Sequence, residues 1–319
     1  MAWTRIRKLA GQVAPIWLAV ILLYALAAMI SPAMLKPEQV ANILQVAAFL
    51  GVIATGQTVA LLLGGIDLSV AGVVTLTNIV ATSVMLGSND RIPLAILVCL
   101  VLSLMVGIVN GVLVTVGRVA PIIATLAMNS VLFGAALIYT DGSPYGAAAP
   151  AFKALAEGRI AGVPSSAIWW LAIALALAYV LRRTTFGRWV YATGANGRAA
   201  YMMGVPVVAV TIAGYALSST LAMVGGLLLT AYIGNPSLGI GNPYMLSSIV
   251  AVVVGGAALT GGQGSVIATI AGAIFITLLT SLTNIAQVST GAQFVIQGVL
   301  IAASVLLYRT LEIGGQRTM

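Results

Sequence analysis

The feature that most constrains this chain is the scarcity of charge along its apolar stretches. Residues 40–99 contain three charged side chains, Asp67, Asp90 and Arg91, and charged residues make up 6% of the 319 in the sequence. A soluble domain carries about 25% charged residues, so this chain cannot cover itself with a water-facing surface. We therefore predict an all-α, polytopic membrane protein that forms a single transmembrane domain over residues 1–319.

Glycine, proline and charged residues divide the apolar sequence into about ten predicted spans, since a spanning helix needs about 20 mainly apolar residues. The first span follows a basic start, as in a signal peptide, but its apolar run is long for one, and we interpret it as a retained span. The eighth is short for a full crossing, so a re-entrant or broken helix is the alternative there. The predicted spans are 13–30, 41–63, 70–87, 93–116, 121–140, 164–181, 207–230, 246–258, 266–286 and 292–308.

The distribution of Lys and Arg predicts the orientation of the chain. With the N-terminus inside, ten of the 14 cations fall in cytoplasmic segments, as the positive-inside bias requires. Both ends of the chain are then cytoplasmic, residues 141–163 form a long outer loop, and residues 182–206 form the longest cytoplasmic loop. The cytoplasmic cations are Arg5, Arg7, Lys8, Arg118, Arg182, Arg183, Arg188, Arg198, Arg309 and Arg317.

The loop 182–206 also contains the pattern of a short amphipathic helix. Asn196 is a candidate N-cap, and Gly204 with Pro206 forms a helix stop. A helix in a cytoplasmic loop has no lipid to bury its apolar residues, so we expect a partner protein to cover them. The alternative is a charge-rich loop that only fixes the topology. The apolar residues concerned are Ala199, Ala200, Met202 and Met203.

Asp67 lies in the stretch LLLGGIDLSVAG, between two apolar runs. A charged Asp at the bilayer centre costs about 2.5 to 3.5 kcal/mol on insertion scales, so it belongs at a helix end or in a protein-lined cavity. We predict a broken segment over 64–69, in which Gly64 and Gly65 end one helix and Asp67 caps the next. The alternatives are a direct role in transport or proton coupling, and an ion pair with a cytoplasmic Arg.

A second glycine-rich stretch, VVVGGAALTGGQGSVIATIAGA, predicts another broken or re-entrant segment near 255–264. It is not a phosphate loop, because the GxxxxGK[ST] pattern is absent from the chain. In membranes, clustered glycines permit close helix approach or a discontinuous helix beside a cavity. The glycines of this second break are Gly255, Gly256, Gly261, Gly262 and Gly264.

Several polar side chains inside the spans are neutral amides. Such groups suit a path for an uncharged, polyhydroxylated solute, and the alternative for each one is a hydrogen bond between helices. Together they favour a neutral substrate over an ion. The amides that we assign with Asp67 to a translocation path or a structural motif are Gln57, Asn78, Asn110 and Asn129, and Asn284 and Gln297 share the pattern.

The sequence does not predict an enzyme. It has no His, its six acids lie on distant segments, and no Ser has the setting of a nucleophile. We expect no metal site, no cofactor and no nucleic-acid partner for this chain. Because no ATP site is present in the sequence, transport against a gradient would draw its energy from an ion gradient or from another subunit.

Three motifs resemble those of ABC-type sugar permeases, the membrane subunits of bacterial importers of ribose and related monosaccharides. The motifs are GGIDLSVAG, FGRWVYATGANGRAAYMMGVPV and VVVGGAALTGGQGSVIATIAGA, in that family's order and at similar spacing. The resemblance covers residues 40–308 and implies a bacterial inner-membrane protein whose pathway is formed by two permease subunits, identical or different. It also implies cytoplasmic ATPase subunits that hold ATP and Mg, and a periplasmic sugar-binding protein that docks on surfaces including 141–163 and 231–245.

In that family, the segment that matches 187–206 lies on the ATPase as a coupling element, which implies a cover for the amphipathic loop. The chain departs from the family at Gln263, where a basic residue is frequent, and at Ser247 and Ser248, where an acid is common. A gradient-driven secondary transporter of a small neutral solute is the alternative function, and a passive channel or scaffold is a third. The coupling residues matched by position are Gly187, Arg188, Gly194, Asn196, Ala199, Ala200, Gly204 and Pro206.

Overall fold

The computed structural model describes residues 2–316, and the side chains of residues 15–303. Over this range the chain is a bundle of thirteen helices. Among the described residues, the chain also forms one two-stranded antiparallel ribbon of β1 (Arg159–Ile160) and β2 (Val163–Pro164). Outside the described ranges lie Arg317 and the side chains of Arg5, Arg7, Lys8 and Arg309.

The helices follow the predicted order of apolar runs. Two short 3₁₀ turns, Pro32–Leu35 and Asn89–Arg91, precede α2 and α4. The helices are α1 (Ala2–Ile30), α2 (Pro37–Leu62), α3 (Val70–Met85), α4 (Ile92–Thr115), α5 (Pro121–Thr140), α6 (Pro150–Glu157), α7 (Ser165–Arg183), α8 (Thr185–Ala195), α9 (Gly197–Met202), α10 (Val207–Ile233), α11 (Asn242–Val254), α12 (Val266–Ile285) and α13 (Thr290–Gln316).

Among the described residues, six helices are long and apolar enough to cross a membrane: α2, α4, α5, α7, α10 and α12. Shorter apolar helices stand at the other four predicted spans: Pro15–Ile30 within α1, α3, α11, and Thr290–Ala303 within α13. The prediction of an all-α, polytopic membrane protein is confirmed, while the count of ten crossings stays a prediction. The remaining helices, α6, α8 and α9, lie within the loops predicted between spans.

The core of the bundle is built around α2. Every residue from Ala47 to Leu62 is buried, and the helix packs against α7, α10, α11 and α12. A helix that is buried on all sides has to be apolar all round, which is why α2 shows no clear amphipathic pattern. Fewer than a third of the residues of the outer helices α4 and α5 are buried, as expected of helices that face lipid or a partner subunit.

Glycines bring α4 and α10 into backbone contact. A Cβ at Gly111 would lie 2.6 Å from the Cα of Ile212, and one at Gly107 would collide with the Cα of Ala216. Small residues four apart allow membrane helices to approach closely, so that van der Waals packing replaces the missing hydrophobic force. The α4 helix is therefore held against α10 by shape.

Two helices, α3 and α11, are short. With 16 and 13 residues, they span about 24 and about 20 Å at a rise of ~1.5 Å per residue, less than the ~30 Å of a hydrocarbon core. Both also end or begin at non-helical segments, residues 63–69 before α3 and residues 255–265 after α11. The two predicted breaks, 64–69 and 255–264, are thus non-helical in the structure.

The α11 helix begins inside the bundle, at the end of a segment that folds back along α3. Asn78 of α3 accepts the N–H of Ser237 at 2.8 Å, and Thr75 accepts that of Gly241 at 3.1 Å. A Cβ at Gly241 would collide with the carbonyl oxygen of Ala71. The chain therefore descends beside α3 before α11 starts.

The predicted bounds of the eighth span, 246–258, are wrong by four residues at each end, since α11 covers Asn242–Val254. Asn242 and Pro243 are not apolar, so the apolar pattern places the start of this helix after them. Pro243 instead fits the first helical turn, where its missing N–H has no partner to lose. Gly255 and Gly256 end the helix, with Gly256 at a φ of +90°.

Candidate functional site

The first break turns the chain back into the bundle beside α2. Gly64 adopts a φ of +80°, which favours glycine, and a Cβ at Gly65 would collide with the hydroxyl of Tyr215. With its amide oriented to suit its neighbours, Gln57 donates to the carbonyl oxygen of Asp67 at 3.0 Å and accepts its N–H at 3.2 Å. The side chain of Gln57, on α2, thus satisfies both backbone groups of Asp67 within the break.

The carboxylate of Asp67 is fully buried and surrounded by neutral donors. One oxygen accepts the N–H of Ser69 at 3.0 Å and also its hydroxyl. The other oxygen accepts the hydroxyl of Ser218, on α10, at 2.8 Å. Asn110, on α4, donates to the Ser69 hydroxyl at 2.9 Å. Asp67 therefore closes the turn that precedes α3 and at the same time links that turn to α10. The prediction that Asp67 caps α3 is wrong, because Ser69 is the N-cap residue and makes no side-chain capping bond.

Thr125 of α5 holds the same break from the other side. Its hydroxyl accepts the N–H of Leu68 at 3.0 Å and lies 3.1 Å from the carbonyl oxygen of Ile66. The side chains of Thr125, Gln57 and Asp67 thus provide hydrogen-bond partners for a stretch of backbone that is no longer helical.

Both breaks meet the loop 182–206 at one point, which we call the glycine junction (Leu62, Gly64, Gly194, Gly261 and Gly262). The N–H of Gly262 donates to the carbonyl oxygen of Leu62 at 2.9 Å. A Cβ at Gly194, in the last turn of α8, would collide with that oxygen and lie 2.7 Å from the nitrogen of Gly262. A Cβ at Gly261 would lie 2.7 Å from the Cα of Gly64. Three distant stretches of backbone therefore touch where side chains have no room.

Further contacts tie the second break to its surroundings. Tyr191 of α8 donates its hydroxyl to the carbonyl oxygen of Gly264 at 3.0 Å, and burial raises the pKa of that hydroxyl. A Cβ at Gly255 would lie 2.8 Å from the carbonyl oxygen of Ala268 on α12. The helix α8 is thus fixed to the break by a side chain as well as by backbone contact.

The predicted coupling residues divide into an inner and an outer group. Gly187 lies against the backbone of Leu181, and Ala200 is 5% exposed, so with Gly194 they face the bundle. Asn196 is the N-cap of α9 and accepts the N–H of Ala199 at 3.0 Å. The outward residues are Arg188, Asn196, Ala199, Gly204 and Pro206.

The most exposed large side chains of this region are Tyr201, Met202 and Met203, at 73%, 74% and 85%. Sequence reasoning identified the two methionines as residues in need of a cover but missed Tyr201. The helical period could have found it, because positions 198, 201 and 202 share one face of α9.

A cavity of about 270 Å³ lies between α3, α5 and α11. Two of its lining residues, Asn129 and Ser130, lie near the middle of α5, and Asn242 is the first residue of α11. Of these residues the sequence predicted only Asn129 as part of a path, and the fold-back before α11 is what brings Asn242 to the cavity. The lining residues are Gly72, Thr75, Asn129, Ser130, Phe133 and Asn242.

The other predicted path residues do not line this cavity. Gln57 and Asn110 belong to the Asp67 cluster, and Asn78 donates to Thr230 at 3.1 Å and to the carbonyl oxygen of Asn235 at 3.2 Å. Gln57 and Asn78 thus follow the alternative interpretation, hydrogen bonds between segments. Asn110 does so through its N–H alone, since its buried oxygen has no partner among the described residues. The alternative interpretation also holds for Asn284, which accepts from Gln293 at 2.8 Å, and for Gln297, which accepts from Ser247 at 3.3 Å.

Comparison with known proteins places the chain in a family of transport proteins. A family model described as the permease component of branched-chain amino acid transport systems matches residues 39–305, and the chain belongs to that family. It is 35% identical to the ribose import permease of Bacillus subtilis strain 168 over 300 residues, 92% of this chain and 91% of the relative.

Two more relatives are import permeases that are similar to this chain over most of its length. The ribose import permease of Escherichia coli K12 is 35% identical over 91% of each chain. The permease of the autoinducer 2 import system of E. coli K12 strain DH10B is 31% identical over 95% of this chain and 88% of the relative. No solved structure matches the chain. The protein is therefore a membrane permease of the ABC importer class, as its three motifs predicted.

The geometry of Asp67 predicts a difference between two substitutions. Asp67→Asn is expected to keep fold and uptake, because an amide accepts the Ser69 N–H and donates to the Ser218 hydroxyl. Asp67→Ala is expected to lower the free energy of unfolding by about 1–3 kcal/mol, since buried donors lose their acceptor. Thermal unfolding in mild detergent and solute uptake by vesicles measure the two effects. A folded Asn variant without uptake would contradict a structural role and favour a direct role in transport.

The glycine junction predicts that Gly194→Ala is far more damaging than Gly197→Ala. The first Cβ collides with Leu62, whereas the second has a single neighbour, a methyl group of Val207 at 4.0 Å. Forcing extra volume into close packing typically costs about 1–3 kcal/mol, so we expect a lower unfolding temperature for Gly194→Ala and little change for its control. Equal unfolding temperatures for the two variants would show that the backbone at the glycine junction can move to accommodate a side chain, which would contradict the close packing at Gly194.

Proposed function

We propose that this chain is the permease subunit of an ATP-driven importer that brings a monosaccharide or a similar neutral, polyhydroxylated solute into the cytoplasm. The observation that carries the proposal is the glycine junction, which joins the exposed α8–α9 region to both breaks of the bundle. The substrate class draws support from relatives named for the import of ribose and autoinducer 2. The neutral lining of the cavity agrees with it.

In this proposal ten helices cross a bacterial inner membrane, with both ends of the chain in the cytoplasm. The six long apolar helices and the four shorter ones supply the crossings. The bundle end that carries α8 and α9 is cytoplasmic, where Arg182, Arg183, Arg188 and Arg198 match the positive-inside bias. The end that carries α6 and the β-ribbon is periplasmic.

The α9 helix would dock on the ATPase. Tyr201, Met202 and Met203 are exposed, and a helix on the cytoplasmic side has no acyl chains to cover it. The exposed Arg188 and Arg198 precede these residues in sequence, so the complementary surface is an apolar groove with an acidic rim. In this proposal the ATPase holds ATP and Mg²⁺, and this chain holds no cofactor.

Backbone contact at the glycine junction would make α8 move together with the bundle. When ATP binding draws the ATPase subunits together, a displacement of α8 acts on the end of α2 and on the break before α12. From there the link between Asp67 and Ser218 reaches α10. Packed helices shift as bodies between discrete arrangements, which is the motion that alternating access requires.

Two more partners complete the proposed assembly. A periplasmic sugar-binding protein would dock on the outer surface that includes 141–163, where Tyr145 and Ile160 are 55% and 63% exposed. A second permease subunit, identical or different, would complete the pathway.

The energy source separates this proposal from its alternatives. Vesicles that contain the purified permease and ATPase, supplied with the binding protein, are expected to take up labelled D-ribose or a related sugar only when they enclose ATP. An uncoupler should leave this uptake intact. Uptake that collapses with the uncoupler while ATP persists would indicate a gradient-driven transporter, and uptake without ATP would indicate a channel.

The α9 surface predicts a specific loss of ATPase binding. Tyr201→Ala is expected to reduce the ATPase that copurifies with the permease at least fivefold, because an aromatic anchor is removed from the contact. Tyr145→Ala, the same change at a residue 55% exposed at the opposite end of the bundle, is the control and should retain the ATPase. Full retention of the ATPase by the Tyr201 variant would place the docking surface elsewhere.

A further inference from the structure

We propose that the cavity between α3, α5 and α11 is a binding site for one neutral sugar ring within the permease itself. The inference rests on the proposed function and adds to it a site that selects the solute inside the membrane. The lining combines amides at Asn129 and Asn242, a hydroxyl at Ser130 and the ring of Phe133.

The polar groups that α5 contributes to the cavity lie deep in the membrane-spanning bundle. Asn129 and Ser130 are the ninth and tenth of the 20 residues of α5, so they lie near the middle of a membrane-spanning helix. Ser130 and Asn242 are exposed. Polar groups at this depth are costly against lipid and are found facing protein or a water-filled cavity. This face of α5 therefore lines a path for a polar solute.

The amide oxygen of Asn129 lacks a hydrogen-bond partner among the described residues. Its Oδ1 is buried and has no hydrogen-bond partner within the protein. It points at α3, where a Cβ on Gly72 would lie 3.0 Å away. The amides of Gln57 and Asn78, by contrast, are bonded through their oxygens to backbone N–H groups. The oxygen of Asn110 is also buried without a partner in the described part of the chain, but Asn110 does not line the cavity. The Asn129 oxygen is thus not committed to a partner within the described protein. Because it is enclosed against Gly72, the proposal requires the amide to turn, or α3 and α5 to shift, before a solute hydroxyl binds it.

The chemistry and size of the cavity match a neutral sugar. Its volume of about 270 Å³ lies just below the ~300 Å³ at which typical ligand pockets begin, which limits the occupant to a single ring. Amides both donate and accept, as hydroxyl groups do, and the face of Phe133 offers an apolar surface to the C–H side of a sugar. The lining contains no charged side chain, so an amino acid would find no partner for its ammonium group.

The site is made by the fold-back before α11. Thr75 fixes the N–H of Gly241, which places Asn242 opposite α5. The proposal therefore depends on an arrangement that apolar periodicity alone does not reveal.

The test uses the permease–ATPase complex in vesicles with internal ATP, supplied with its binding protein. The probes are labelled D-ribose, a panel of other pentoses and hexoses, and L-leucine. Asn129→Leu removes the amide at similar volume, and Asn129→Ser restores part of the hydrogen bonding. Val131→Ala is the control, at a residue of the same helix that is 63% exposed and does not line the cavity. Copurification of the ATPase shows that each variant is assembled.

For Asn129→Leu we expect at least a tenfold fall in sugar taken up per ATP hydrolysed and a changed preference within the sugar panel. Asn129→Ser should recover part of the uptake, and Val131→Ala should stay within twofold of the parent protein. Parent-like uptake and selectivity in Asn129→Leu, or an equal loss in Val131→Ala, would overturn the site while leaving the importer in place. If the parent complex takes up L-leucine and no sugar, the proposed substrate class fails as well.

Discussion

A backbone that leaves the helix inside a membrane has to find a partner for each of its N–H and C=O groups, and this requirement shapes the whole bundle. The first break meets it with side chains from two helices and from the break itself, through Gln57, Thr125 and the carboxylate of Asp67. Water cannot supply these bonds in the hydrocarbon region, where an unpaired group costs several kcal/mol. The helices that donate the partners are therefore fixed around the break, and α3 begins where they place it.

The second element is close contact between backbones. At the glycine junction, α8 touches the end of α2 and the second break without intervening side chains, and at Gly241 the chain touches α3 in the same way. Contacts of this kind have little compliance, because no rotamer can absorb a displacement. The region that faces the proposed ATPase is thus joined rigidly to the helices that surround the polar core, and the cavity adjoins the contact between α3 and Gly241.

Much of this could be predicted from the sequence, and the limits have physical reasons. Apolar runs predicted the helices, and glycine clusters predicted both breaks, because composition and local conformation decide these features. Sequence could not show that Gly64, Gly194 and Gly261 meet, since their contact depends on packing between distant segments. Asn78 and Asn129 look alike in sequence, yet one anchors the fold-back and the other lines the cavity. Ala200 faces inward although it belongs to the predicted coupling segment, because one side of α9 packs on the bundle.

The most direct measurement of the account is the composition of the protein purified from its native membrane in mild detergent, determined by mass spectrometry. The account predicts a stoichiometric ABC-type ATPase subunit in the preparation, together with one or two permease species. A permease that repeatedly purifies alone, under conditions that preserve a known ABC complex, would contradict it. The exposed surface of α9 would then have no partner, and a gradient-driven mechanism would be the better account.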